Sequence, residues 1–89
     1  MDANRNMKIT TCFPFAKSLV NLIAEHQCGI DNNGLKECIN LQKLNAVGNN
    51  KITSCLPFAN SIIELFIYEN QISDEELKKC TKLIWLIKI

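Results

Sequence analysis

Charge imbalance, long apolar runs, glycine and histidine are all scarce in this 89-residue chain, and each shortage excludes a class of function. Ten basic residues face nine acids, for a net charge of +1, and the lysines are dispersed. Nucleic-acid binding needs a concentrated basic stripe, so that partner class is not expected. No apolar run approaches the ~18 residues that span a bilayer. The two most apolar stretches, Ile62–Tyr68 and Leu83–Ile89, are interrupted by Glu64 and Lys88. Met1–Lys8 is polar and contains no apolar core of a secretory leader. The three glycines, Gly29, Gly34 and Gly48, are scattered, which leaves no phosphate-cradling loop. His26 is the single histidine. Glu25 and Glu69 are the acids expected near it, but no nucleophile motif surrounds them, so a solvated strand-edge histidine is expected instead of a general base. The chain is expected to be no enzyme, to hold no cofactor or metal, and to act in the cytoplasm without touching a membrane.

What the chain does have is repetition. The phrase Ile62-x-x-Leu65-x-Ile67-x-x-Asn70-x-Ile72 is echoed by Leu41-x-x-Leu44-x-Ala46-x-x-Asn49, with Ile52 following. It is echoed again by Leu19-x-x-Leu22-x-Ala24-x-x-Gln27, with Ile30 following, and Leu83-x-x-Leu86 begins a further copy. Two kinds of repeat alternate. Ile9–Leu19 returns as Ile52–Ile62, an offset of 43 residues, and Ile30–Leu41 returns as Ile72–Leu83, an offset of 42. The whole chain is therefore expected to be one domain: a partial repeat over 1–8, then repeats of about 21 or 22 residues over 9–29, 30–51, 52–71 and 72–89.

Equivalent positions form ladders, because a unit that cannot bury its own apolar side must stack on its neighbours. Phe13, Leu35, Leu56 and Leu77 form one; Ala16, Cys38, Ala59 and Cys80, all small, the next. Leu19, Leu41, Ile62 and Leu83 follow, then Leu22, Leu44, Leu65 and Leu86. Asn49 and Asn70 occupy a polar ladder whose amides can bond the turn leaving each strand, and Gln27 departs from it. Parallel strands are expected near Asn21–Glu25, Lys43–Val47, Glu64–Tyr68 and Trp85–Ile87. Short helices return the chain: Ser73 and Glu76 form a capping box over Ser73–Cys80, and Pro14 and Pro57 suit a first helical turn. Asp31-Asn32-Asn33-Gly34 is expected to turn into a brief helix.

The five cysteines include no Cys-x-x-Cys pair. Cys12 and Cys55 are equivalent positions two repeats apart, as are Cys38 and Cys80. Two strand spacings are ~10 Å, beyond the ~7 Å reach of a disulfide, and zinc wants closer ligand pairs. Free thiols in a reducing compartment are expected, serving as small core residues, with Cys28 the most exposed.

On these motifs the chain resembles the leucine-rich repeat proteins from Met1 to Ile89. The alternating Cys-x-Pro-Phe-Ala-x-Ser and Leu-Lys-x-Cys pattern is similar to arrays in large DNA viruses of amoebae and some protists, which would place it inside a host cell. The resemblance implies an α/β fold: a right-handed solenoid with a parallel concave sheet and short helices or 3₁₀ turns on the convex side. It also implies protein binding and brings no catalytic residues. Strand residues alternate sides, so three ladders should face the concave surface: Asn21, Lys43, Glu64, Trp85; Ile23, Asn45, Phe66, Ile87; and Glu25, Val47, Tyr68, Ile89. Lys43, Asn45, Glu64, Phe66, Tyr68, Trp85 and Ile87 are the candidate binding residues, because exposed aromatic residues mark interfaces. Met1-x-Ala3-x-x-Asn6 matches Leu44-x-Ala46-x-x-Asn49, and the C-terminus falls within a strand, so neither end resembles a polar cap. The alternative expectation is therefore a structural segment of a longer array that self-associates through open strand edges.

Overall fold

Leu22, Leu44 and Leu65 lie within three short strands, with Asn21, Ile23, Lys43, Asn45, Glu64 and Phe66 beside them on the opposite face, and this period of two fixes the sheet. The computed structural model describes residues 1–2, 16–26 and 28–89. Expectations that fall on Ala3, Asn6, Cys12, Phe13, Pro14 and Gln27 lie outside the described residues. Four strands, β1 (Asn21–Ile23), β2 (Lys43–Asn45), β3 (Glu64–Ile67) and β4 (Trp85–Lys88), form one parallel sheet in sequential order. Its register stacks Asn21 on Lys43 on Glu64 on Trp85, and Leu22 on Leu44 on Leu65 on Leu86. Met1 and Asp2 pair beside β1: Ile23 N donates to Met1 O at 2.8 Å, and the Met1 ammonium donates to Asn21 O at 2.9 Å. The chain is thus a small α/β fold. Among the described residues no helix is long and apolar enough to cross a membrane.

The segments between strands are short. Ala16–Ser18, Asn33–Leu35 and Leu56–Phe58 are single 3₁₀ turns, and α1 (Asp74–Leu77) is one α-helical turn. Each has a local cause. Gly34 N donates to Asp31 Oδ1 at 2.8 Å, which starts the second. Pro57 supplies a preset φ near the start of the third. Glu76 N donates to Ser73 Oγ at 3.3 Å at the start of α1. The reciprocal half of that capping box is absent. Glu76 Oε1 turns to the preceding unit, accepting from Ser54 Oγ at 2.6 Å and Cys55 N at 3.2 Å. The helix is accordingly shorter than the Ser73–Cys80 span expected.

The buried rows differ from the expected ladders at identifiable points. Leu35 and Leu77 are buried, but Leu56 is 49% exposed and Phe58 takes its place in the core. Val47, expected on the open face, is buried, because β2 ends at Asn45 and Asn45 Oδ1 accepts from Val47 N at 3.2 Å, which breaks the alternation. Leu86 belongs to the inward row yet is 36% exposed, because β4 is the last strand and no described element covers it. Cys28, expected to be the most exposed thiol, is buried, and Ile30 N donates to its sulfur at 3.4 Å.

The amide ladder is also rearranged. Asn49 is the single buried polar residue among those described. Its Nδ2 donates to Ala24 O at 2.9 Å and Ile30 O at 3.0 Å, and its Oδ1 accepts from Lys51 N at 3.1 Å. One unit later this work passes from Asn70 to Gln71. Gln71 Nε2 lies 2.8 Å from both Ala46 O and Asn49 O and 3.1 Å from Ile52 O, while its Oε1 accepts from Tyr68 N at 2.8 Å. Asn70 is exposed at φ +65°, the left-handed conformation that asparagine tolerates. The turn so formed advances the inward position by one residue, and the extra methylene of glutamine spans the difference.

Truncating either amide strands buried carbonyls and one N–H. Asn49→Ala and Gln71→Ala are each expected to cost about 2–3 kcal/mol of stability by urea unfolding. Asn70→Gly should stay within about 0.5 kcal/mol, because glycine accepts positive φ freely. Equal costs at Asn70 and Gln71 would contradict the handover.

Candidate functional site

Among the described residues nothing covers the sheet face opposite the leucine row, and the strand register gathers six of the seven candidate residues on it. Lys43, Glu64 and Trp85 are neighbours across β2, β3 and β4, and Asn45, Phe66 and Ile87 form the adjacent row. Tyr68, the seventh, lies just beyond β3 and is exposed. The face divides in two. Toward β1, a depression of about 250 Å³ lies over Asn21, Ile23, Lys43, Asn45 and Phe66. Toward β4, the surface is apolar and exposed at Trp85 (54%) and Ile87 (40%). Between them the Lys43 ammonium lies 4.0 Å from the Glu64 carboxylate. At that separation and exposure the pair orders two side chains and contributes little stability.

The edge of this face is built around Gly48. It adopts φ +76°, and a Cβ there would lie 2.4 Å from His26 Nδ1 and 3.2 Å from the Tyr68 ring. The glycine thereby lets two aromatic rings approach across it. His26, itself at φ +49°, meets Tyr68 edge-to-face with ring centroids 6.2 Å apart. His26 is exposed, as expected, but it stands at the turn after β1 and braces Tyr68. Nothing in the sequence signals this contact beyond the isolated Gly48. A second depression, of about 280 Å³, lies behind Tyr68 over Gly48, Asn50, Thr53, Glu69 and Asn70. Tyr68 is therefore shared between the open face and this flank.

A further charge pair anchors β4. Lys88 stands in register with the buried Ile67, an inward position, and its Nζ reaches Asp74 Oδ1 on α1 at 3.0 Å. The hydrogen bond from Lys88 and its charge hold the Asp74 carboxyl below its ordinary value of 3.8, and the same bond raises Lys88 above 10.5. Among the described residues no three His, Cys, Asp or Glu side chains cluster as metal ligands.

Two predictions follow from this geometry. Gly48→Ala is expected to cost about 2 kcal/mol by denaturant unfolding, from the left-handed backbone and the displaced His26 ring. In a His26→Ala background the cost should fall to about 1 kcal/mol, the backbone share alone. For the Asp74–Lys88 pair the folded carboxyl pKa is depressed. Its contribution is present above the unfolded value and lost as pH falls through the folded one. Acidification below about pH 3.8 should therefore loosen β4 and change the fluorescence of Trp85, the sole tryptophan, and Asp74→Asn should abolish that change.

Comparison with protein-family models, with curated proteins and with solved structures finds no match to this chain.

Proposed function

We propose that the chain is a leucine-rich repeat solenoid that works as a non-catalytic binding module, taking a protein partner on its open sheet face. The sequential parallel order, the register at 21- and 22-residue steps and the amides reaching back to the preceding unit support the solenoid reading. The observation that carries the binding reading is the exposure of Trp85, Tyr68, Ile87 and Ile23 around one uncovered sheet face. Large apolar side chains grouped on a surface mark contact sites, and aromatic residues dominate the binding energy of such patches. The Lys43–Glu64 pair beside them supplies polar groups of both signs, which suits a protein surface better than a polyanion.

A second reading is favoured by a different observation. Among the described residues the outer edge of β4 has no strand partner, and Ile84, Leu86 and Ile89 around it are exposed, so it could accept a strand from another copy in a purely structural array.

The double substitution Phe66→Ser with Trp85→Ser separates the two. On the first reading it leaves the unfolding transition and the solution mass unchanged and reduces partner retention from the native source at least ~100-fold, the combined effect of two aromatic anchors at about 1.4 kcal/mol or more each. If the same change instead converts an oligomer to a monomer, in sedimentation or light scattering, self-association is the function of this surface.

A further inference from the structure

Cys55 immediately precedes the turn Leu56–Phe58, and Cys80 follows α1 in the next unit. Their sulfurs lie 3.2 Å apart, with Cys80 Sγ donating to Cys55 Sγ. Exposure is 0% at Cys55 and 6% at Cys80. A disulfide bond is ~2.05 Å long, so closure needs an approach of about 1.2 Å, which small side-chain rotations can supply. The two residues belong to adjacent units, and neighbouring strands stand ~4.8 Å apart, within the Cα separations that disulfides span.

The repeat indicates that this contact is more than close packing. The small buried row runs Ala16, Cys38, Ala59, Cys80, so alanine fills the same position in alternate units. Sulfur appears there only in the units whose predecessor carries cysteine four residues before its own small position, at Cys12 and Cys55. Packing requires no such coincidence. The pairing of the two positions across one step does.

We propose that Cys55 and Cys80 are a disulfide-forming pair that closes on exposure to a small-molecule disulfide and clasps the unit bearing Phe66 to the unit bearing Trp85. Cys80, the less covered thiol, attacks one sulfur of the oxidant as its thiolate. A mixed disulfide forms and one small thiol leaves. Cys55 then attacks the Cys80 sulfur, the protein disulfide forms, and the second small thiol leaves. Two protons and two electrons pass from the protein to the oxidant, which ends as two thiols.

Burial, the hydrogen bond from Cys80 and the charges of Cys80 and Glu76 push the Cys55 thiol up to about 12. Raising the pH therefore favours the Cys55 thiolate and with it formation of the bridge.

The test incubates the full chain with oxidised glutathione at about pH 8.5, followed by intact mass and tryptic mapping. The expected result is a loss of about 2 Da per bridge, with peptide 52–78 joined to 80–82, and a rise in Tm of about 5 °C or more that a phosphine reverses. Cys55→Ala should retain glutathione on Cys80 without closing the bridge. The proposal is overturned if wild type gives only glutathione adducts, if Cys28 links to Cys55 or Cys80 as readily, or if Cys55→Ala shows a Tm rise as large as wild type.

Discussion

Where the chain leaves β1 and β2 it turns through backbone carbonyls that the neighbouring strand does not satisfy, and a side-chain amide of the following unit satisfies them. Asn49 does this for Ala24 and Ile30, and Gln71 for Ala46, Asn49 and Ile52. Because an amide reaches only one unit back, these bonds hold when consecutive strands are neighbours and parallel. Smaller bonds repeat the same step elsewhere. Asn32 bridges to Thr53, Asn40 to Lys17 O and Ser61 to Leu41 O. Register follows from them, and once register is set, one row of side chains is buried and the next is presented. The open face is therefore a consequence of satisfying turns. The side chains presented there take part in none of the Asn49 and Gln71 amide bonds, so their chemistry is free to serve something else.

Separating structural from presented positions in this way explains why much of the fold is legible in the sequence. A column such as Leu22, Leu44, Leu65 contacts its own equivalents, so comparing equivalent positions finds it directly. The candidate residues on β2, β3 and β4 follow by alternation. The departures all involve contacts that do not run straight up a column. Cys55 touches Cys80 diagonally, between different positions of adjacent units, so measuring Cys55 against its own equivalent could not reveal it. Phe58 displaces Leu56 because a 3₁₀ turn rotates its residues through a different arc from a strand. Gln71 displaces Asn70 because one residue at positive φ shifts which side chain faces inward. Val47 turns in because the Asn45 side chain ends β2 early. The division of the open face into a depression and an apolar end depends on side-chain shape, which positional matching does not carry.

Gly48 shows the reverse case, where a presented residue depends on a structural one. Its lack of a side chain lets His26 and Tyr68 meet, and that contact orients the ring at the rim of the open face. An aromatic anchor braced in this way loses less rotamer freedom when it engages a partner, which lowers the entropic cost of binding. Trp85 has no such brace among the described ring contacts. The two aromatic residues thus differ in preorganisation even though alternation alone ranks them alike.

The last unit offers both surfaces at once, and Lys88 weighs between them. It occupies the inward row of the outermost strand, where its register partner on β3 is the buried Ile67. A second chain adding a strand beyond β4 would cover that side and enclose the Lys88–Asp74 pair. Asp74 is at present open to solvent. Removing both charges from water costs more than their mutual attraction returns unless every remaining donor and acceptor is met. Inward-pointing charge on an edge strand is a device by which proteins discourage edge-to-edge pairing. The open face carries no comparable obstacle, because its one ion pair lies between the depression and the apolar end, where both groups can stay at the rim of an interface and hydrated. The apolar residues of β4 are thus better disposed to serve a partner on the sheet face, through Trp85 and Ile87, than one extending the sheet through Leu86.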